Sequence, residues 1–320
     1  MLAVEGLRVS LPTADGLVTV VDGVDYRVEP GEVFGVAGES GSGKTISMLA
    51  LLGLLPAGAV VEGHAEFGGR DLLGLRPRQL RDVSGRDVAI VFQDPMTSLH
   101  PMLSVGQQLT EHVRHHLRLS RADAGRRAVE LLEEVRIPDP GSALRAYPHQ
   151  FSGGMRQRIA IAIALACRPR LLIADEPTTA LDVTVQAGIL RLLDRLRREG
   201  DLSVVLITHD LGVMSSIADR VSIFYAGRVA ESGGCAVVLQ HPRHPYTRAL
   251  LDALPHPETP ADAPLVAIRG TPPSPQRVPS GCAFHPRCPF ALEACTKEVP
   301  PLLVEDGRRF ACPVDPLAAA

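Results

Sequence analysis

Apolar and polar positions follow two regimes along this chain. Apolar runs of strand length occupy residues 33–37 (VFGVA), 171–174 (LLIA) and 204–207 (VVLI). Runs of this length, bounded by turn residues, read as fully buried strands. Helical segments follow them. Residues 46–55 predict a helix after the first run, residues 155–167 a helix that is nearly all apolar after Arg158, and residues from Val183 onward another. Residues 121–135 carry apolar side chains near helical spacing with charges between them, as an amphipathic helix does. Such strand–helix alternation predicts an α/β fold with a mainly parallel sheet flanked by helices. The β patterns of residues 1–93 enclose one helix, residues 94–147 read as a helical insertion, and the α/β pattern then resumes to residue 234. No internal repeat is visible, which predicts one such domain rather than two.

Beyond residue 234 the pattern changes. Pro255, Pro257, Pro260, Pro264, Pro272, Pro273, Pro275 and Pro279 disfavour regular helix and sheet. The expected division is a domain over 1–234, with 94–147 as a helical subdomain inside it, and a Pro/Cys-rich C-terminal extension over 235–320.

Composition narrows the partners. A chain of 320 residues can bury a large core. A net charge of −3 gives no electrostatic case for nucleic acid. The longest apolar stretch, 48–61, is broken by Gly53, Pro56 and Gly58. It falls short of the roughly 20 residues needed to cross a bilayer. Glu5 comes early and no long apolar region follows, so no leader is read. The expectation is a soluble or peripheral protein whose membrane path, if any, belongs to partners.

Three motifs carry the chemistry. Residues 38–45 read GESGSGKT, which fits the phosphate-binding P-loop pattern. Gly38, Gly41 and Gly43 permit backbone conformations closed to other residues, so the N–H groups of Glu39, Ser40, Ser42 and their neighbours can converge on one anion. The following helix adds its N-terminal dipole. Lys44 would meet the β- and γ-phosphates, and the Thr45 hydroxyl would ligate Mg2+. The chain has only Lys44 and Lys297 among its many basic residues, so a lysine at this position is not a product of composition. The run at 171–174 ends in Asp175-Glu176. Asp175 can hold Mg2+, directly or through water, and Glu176 is suited to polarise an attacking water. Between these two motifs, Ser152-Gly153-Gly154 opens the helix at 155–167. Serine is a good N-cap, and two glycines let backbone amides approach an anion, so this is a second helix start aimed at phosphate.

The order of these motifs, with FSGGMRQR at 151–158 about two dozen residues before DEP, resembles the ATP-binding cassette (ABC) family. That resemblance implies a P-loop ABC nucleotide-binding domain whose Ser152-Gly153-Gly154 closes over ATP held by another cassette. It implies that Gln93, in VFQDP, senses the γ-phosphate and Mg2+. Asp182, in TTALD, would cross the dimer interface, and His209 after the third strand would be the γ-phosphate switch. The insertion at 94–147 would receive a permease helix. Two departures stand out. Residues 8–21 contain no aromatic to stack adenine, leaving Leu11 or Val20 in that role, and His100 stands where the family commonly has asparagine.

The tail, with HPYTRALLDALP and GCAFHPRCPF, resembles oligopeptide and dipeptide importer ATPases, and DEPTTALDVTVQ resembles their D-type subunit. The expected partners are then two transmembrane permeases, an F-type ABC ATPase and an extracytoplasmic substrate-binding protein. The expected place is the cytoplasmic face of the cell membrane, and nickel or other small solutes remain alternative cargoes. A soluble non-transport ABC ATPase remains the other reading. It would usually carry paired cassettes or long coiled-coil insertions, and neither is visible.

Four of the six cysteines, Cys282, Cys288, Cys295 and Cys312, fall in the tail. Four thiolates can hold a 4Fe–4S cluster or a tetrahedral zinc, or remain free thiols. Their gaps exceed those of closely spaced zinc pairs, and the family resemblance implies the cluster. Cys167 and Cys235 read as packing residues.

Overall fold

A computed structural model describes residues 1–94, 98–179, 181–254 and 267–317. Pro95, Ala180, Pro255, Pro257, Pro260 and Pro264 lie outside the described residues. Among those described, the strands are β1 (Leu2–Thr13), β2 (Gly16–Val28), β3 (Val33–Ala37), β4 (Val60–Phe67), β5 (Arg70–Asp71), β6 (Val88–Val91), β7 (Leu171–Asp175), β8 (Ser203–Thr208), β9 (Arg220–Tyr225), β10 (Arg228–Gly234), β11 (Leu303–Glu305) and β12 (Arg308–Phe310). The helices are α1 (Lys44–Leu51), α2 (Pro77–Val83), α3 (Val105–Leu117), α4 (Arg121–Glu134), α5 (Pro140–Ala143), α6 (Gly153–Ala164), α7 (Val183–Glu199), α8 (Leu211–Ile217), α9 (Cys235–Gln240), α10 (Pro245–Asp252) and α11 (Ala294–Lys297). None is long and apolar enough to cross a membrane among the described residues.

Two compact units emerge. The first holds residues 1–28, 33–74 and 208–320. Its antiparallel sheet runs β2-β1-β4-β5. In β1, Leu2, Val4, Leu7 and Val9 are buried. Strict alternation breaks where the register shifts between Val4 and Leu7, as a bulge requires. A second group runs β11-β12-β10-β9-β3. Here β3 pairs parallel with β9, all five of its residues being buried, and β9 turns back antiparallel into β10. The Pro-rich tail was expected to avoid regular structure. Its last part nonetheless forms the hairpin β11–β12, which joins β10 at Glu231 and Ser232. That hairpin begins beyond the last of the prolines named above, so its ladder donors are intact. The extension thus packs with residues 1–28 and 33–74 in one unit.

The second unit holds residues 29–32 and 75–207. In it β6, β7 and β8 pair in parallel, Leu171 standing opposite both Val88 and Ser203. Every residue of β7 and β8 is buried, as strands covered on both faces must be. The insertion is helical as its spacing predicts. Ser104 and Ser120 cap α3 and α4, and Leu109, Val113, Ala128 and Leu131 form the buried face. The helix predicted over 46–55 starts at Lys44 and stops at Leu51, because Gly53 turns into the left-handed region at φ 64° and Pro56 follows.

Candidate active site

In the first unit the chain leaves β3 through the loop 38–43 into α1. Gly38, Gly41 and Gly43 have φ of 144°, 79° and 98°. A Cβ at Gly38 would lie 2.2 Å from the Phe224 carbonyl oxygen, and one at Gly43 2.8 Å from that of Val20, so neither tolerates a side chain. The loop is tied down by Gly227 N–H donating to the Ser42 carbonyl at 3.0 Å. Lys44 is 5% exposed and folds back over the loop, its Nζ donating to the carbonyls of Gly38 at 2.7 Å and Glu39 at 2.8 Å. An ammonium held over the loop by two of its backbone carbonyls is placed for the terminal phosphates of a nucleotide. Thr45, half-buried, follows on the first turn. His209 is exposed just after β8, and Asp210 caps α8 by accepting from Gly212 N–H at 2.8 Å.

The second unit gathers the other predicted residues. Asp175 ends β7 and is 4% exposed. Glu176 follows with φ 46°, a left-handed conformation that a glutamate rarely adopts. It is held there by its N–H, which donates to the Ile207 carbonyl at 2.9 Å. Its Oε2 accepts from Gln93 Nε2 at 3.0 Å and from the Thr179 hydroxyl at 2.9 Å. Two residues 83 positions apart, both expected at the catalytic centre, are therefore in direct contact.

Also in this unit, exposed Ser152 caps α6, its Oγ accepting from Met155 N–H at 3.4 Å. Gly153 is exposed, and a Cβ on Gly154 would meet Val185 Cγ1 at 2.5 Å. Asp182, also exposed, caps α7 through Val185 N–H at 2.9 Å. The capping roles of Ser152 and Asp182 are thus present, and both still face outward. His100 resolves simply. Its Nδ1 accepts from Met102 N–H at 3.2 Å, the local bond that an asparagine side chain two residues upstream would make.

Cys167 and Cys235 are buried, as packing residues are. Burial pushes Cys167 and Cys235 each up to about 11, which leaves them inert thiols. In the tail, burial also raises Cys282 and Cys288, and it pushes Cys312 up to about 11. The nearby Cys282, Cys288 and Cys295 add to the rise at Cys312. Cys282 N–H donates to the Cys295 carbonyl at 2.8 Å. His285 Nδ1 lies 2.9 Å from the Cys282 carbonyl, which engages that ring nitrogen. Among the described residues, no group of three or more His, Cys, Asp or Glu is arranged around a single metal ion. Neither the cluster nor the zinc alternative draws support from this arrangement. Sequence reasoning missed Tyr246 and Arg287, which both reach Glu39. HPYTRALLDALP marked the region, but nothing local marked the contact.

Comparison with known proteins agrees with this picture. The family described as "ABC transporter" matches residues 21–179, and "Oligopeptide/dipeptide transporter, C-terminal region" matches residues 230–295. The oligopeptide transport ATP-binding protein OppD of Salmonella typhimurium is 46% identical over 319 residues, covering 99% of this chain and 95% of that protein. The dipeptide transport ATP-binding protein DppD of Bacillus subtilis is 47% identical over 302 residues, covering 94% and 90%. Among solved structures, the post-hydrolysis dimer of the ATP-binding cassette MJ0796 bound to ADP and Pi superposes with a TM-score of 0.66. It is 26% identical and covers 73% of this chain and 99% of that one. Similarity that runs from the phosphate loop through the cysteine-bearing tail, at nearly half identity, makes this chain a member of the ABC family of oligopeptide and dipeptide transport ATP-binding proteins.

Proposed function

We propose that this chain is the ATP-hydrolysing subunit that powers import of peptides through a membrane ABC transporter. The observation that carries this reading is the match of residues 230–295 to the oligopeptide/dipeptide transporter C-terminal region, on a chain that also bears a formed phosphate loop. Residues 38–45 bind the ATP phosphates. Thr45, Asp175 and Gln93 offer hard oxygen donors of the kind Mg2+ takes. Mg2+, when bound, offsets the negative charge that builds on the β- and γ-phosphates. Glu176 orients and deprotonates the attacking water, Gln93 steadies its carboxylate, and His209 contacts the γ-phosphate. Ser152, Gly153 and Gly154, with Asp182, serve the nucleotide bound by a partner cassette. Exposure of these motifs on one chain fits a site completed by a second.

The finer reading follows the family. Residues 1–234 act as the cassette and 235–320 as its extension. The partner cassette is a different, F-type ATPase. Two permeases and a substrate-binding protein complete the importer, which places this chain on the cytoplasmic face of the membrane. Cys282, Cys288, Cys295 and Cys312 would be the residues that hold a 4Fe–4S cluster. Four cysteine thiolates are the donor set such a cluster takes. The cluster, when bound, cross-links a Pro-rich segment with a small core of its own.

Purification from detergent-solubilised membranes, with every co-purifying chain identified, tests the transport reading. Two polytopic chains plus a second cassette ATPase support it. Soluble partners alone would replace it with the non-transport ATPase. Iron and sulfide assays on anaerobically purified protein, lost in Cys288→Ser, test the cluster.

A further inference from the structure

Two side chains of the extension reach back to the phosphate loop, and both meet Glu39. The Tyr246 phenol oxygen, on α10, accepts a hydrogen bond from Glu39 N–H at 2.8 Å. Arg287 grips the Glu39 carboxylate with both terminal nitrogens, Nη1 to Oε2 at 2.6 Å and Nη2 to Oε1 at 3.0 Å. This fork-to-fork pairing fixes direction as well as distance. The pair is shielded, the Arg287 side chain being 5% exposed and that of Glu39 23%.

Arg287 is itself held in place. Its Nε donates to the Arg269 carbonyl at 2.9 Å and its Nη1 to the Tyr225 hydroxyl at 3.3 Å. The guanidinium lies 5.9 Å from the ring centroids of both Tyr225 and Phe284. These rings pack on Tyr246, at 4.5 Å from Tyr225 and 5.3 Å from Phe284. The chain has four tyrosines in all, so placing two of them at this point concentrates a scarce residue type on the loop. The Glu39 carboxylate also raises the Arg287 pKa, which keeps the guanidinium charged.

Three groups therefore converge on one residue of the loop. Tyr246 takes its N–H, which therefore is not turned to an anion as the sequence suggested, Arg287 takes its carboxylate, and Lys44 its carbonyl. A phosphate cradle works through N–H groups that are oriented before the ligand arrives. Ordering the loop beforehand removes an entropy cost that binding would otherwise carry.

We propose that Tyr246 and Arg287 are positioning residues that hold the phosphate loop in its binding shape through Glu39, so that the C-terminal extension sets the affinity for ATP. This rests on residues 38–45 being the phosphate loop. The test uses the full-length chain in its assembled complex, with KM and kcat for ATP and direct binding of a fluorescent ATP analogue. Glu39→Gln and Arg287→Met are each expected to raise KM about tenfold, with the loss falling on KM rather than kcat. The double variant is expected to be no worse than either single, because the two groups act as one unit. Arg287→Lys should recover part of the loss, and Tyr246→Phe, which keeps the ring packing, should raise KM about threefold. A purely structural role would lower the melting temperature and leave KM in place. Unchanged KM in soluble Glu39→Gln and Tyr246→Phe, or additive losses in the double variant, would overturn the proposal. Lys44→Ala separates the two levels. If it abolishes ATP binding while Glu39→Gln does not weaken it, the clamp alone falls. If it leaves binding intact, the phosphate loop reading falls and the clamp with it.

Discussion

Glu176 shows how much one backbone angle can reveal. An L-residue in the left-handed region costs about 1–2 kcal/mol, and here the cost is met by the Ile207 carbonyl, Gln93 and Thr179. Strain of this kind persists where the surroundings over-determine it, often at reacting centres. Glu176→Gln keeps the shape and removes the base. ATP hydrolysis should be lost while nucleotide affinity stays within about threefold. Phosphate release and ATP-analogue binding measured side by side check this, and full-rate hydrolysis would remove Glu176 from the role. His244 makes a different prediction. It is buried, its Nδ1 accepts from Tyr246 N–H at 3.0 Å, and burial lowers its pKa to about 4. The unfolded chain takes up a proton near its ordinary value of about 6.5 that the folded chain refuses. Stability is therefore full above that value and falls as pH drops toward 4, by about 3 kcal/mol across the window. His244→Asn can still cap α10. Denaturant midpoints at neutral and mildly acidic pH should differ less in His244→Asn than in the parent.

At the scale of elements, α6 is the informative one. Its first two residues are glycines with different surroundings. A Cβ on Gly153 would sit 3.6 Å from Leu181 Cδ2, an ordinary contact, whereas one on Gly154 would sit 2.5 Å from Val185 Cγ1. Gly154→Ala must therefore push α6 away from α7 and should destabilise by about 1–3 kcal/mol. Gly153→Ala should be neutral within about 0.5 kcal/mol. Thermal unfolding of the two variants tests the packing claim. Activity separates from it. Gly153→Ala is expected to fold well yet to impair hydrolysis in the assembled complex, if the start of α6 meets the partner's nucleotide as proposed. A fully active Gly153→Ala complex would show that the exposed start of α6 does not meet nucleotide.

At the scale of the whole molecule, the outward-facing motifs come with an exposed apolar side chain. Val183 directly follows Asp182 and is 82% exposed. A valine this bare is commonplace alone, but beside the motif that resembles an interface loop it invites burial by a partner. Val183→Asp should leave folding of the isolated chain within about 0.5 kcal/mol of the parent and weaken its association with a second cassette. Sedimentation of the purified pair with ATP and Glu176→Gln in place reads this directly. Undiminished association would assign Val183 to the solvated surface.

Much of the fold and of the candidate site was legible in the chain. The VFGVA, LLIA and VVLI runs became β3, β7 and β8 because a short apolar run between turn residues buries both its faces in a parallel sheet. The phosphate loop was legible because its glycines answer to backbone angles that other residues avoid, a local requirement that a local sequence can state. The ends of α1 and α6 were less so, since a helix stops where its last carbonyls find partners. Some pairings had no local sign at all. Gln93 meets Glu176 across 83 positions, Tyr246 meets Glu39 across 207, and Arg287 meets it across 248. The tail hairpin joins β10 in the same way, from far along the chain. By itself, then, the sequence determined the three buried strands β3, β7 and β8, the phosphate loop and the acidic pair, because each depends on spacing within a few residues. Only the tertiary structure decided which distant side chains hold them, because that depends on where the folded backbone brings two charges or rings within hydrogen-bonding reach.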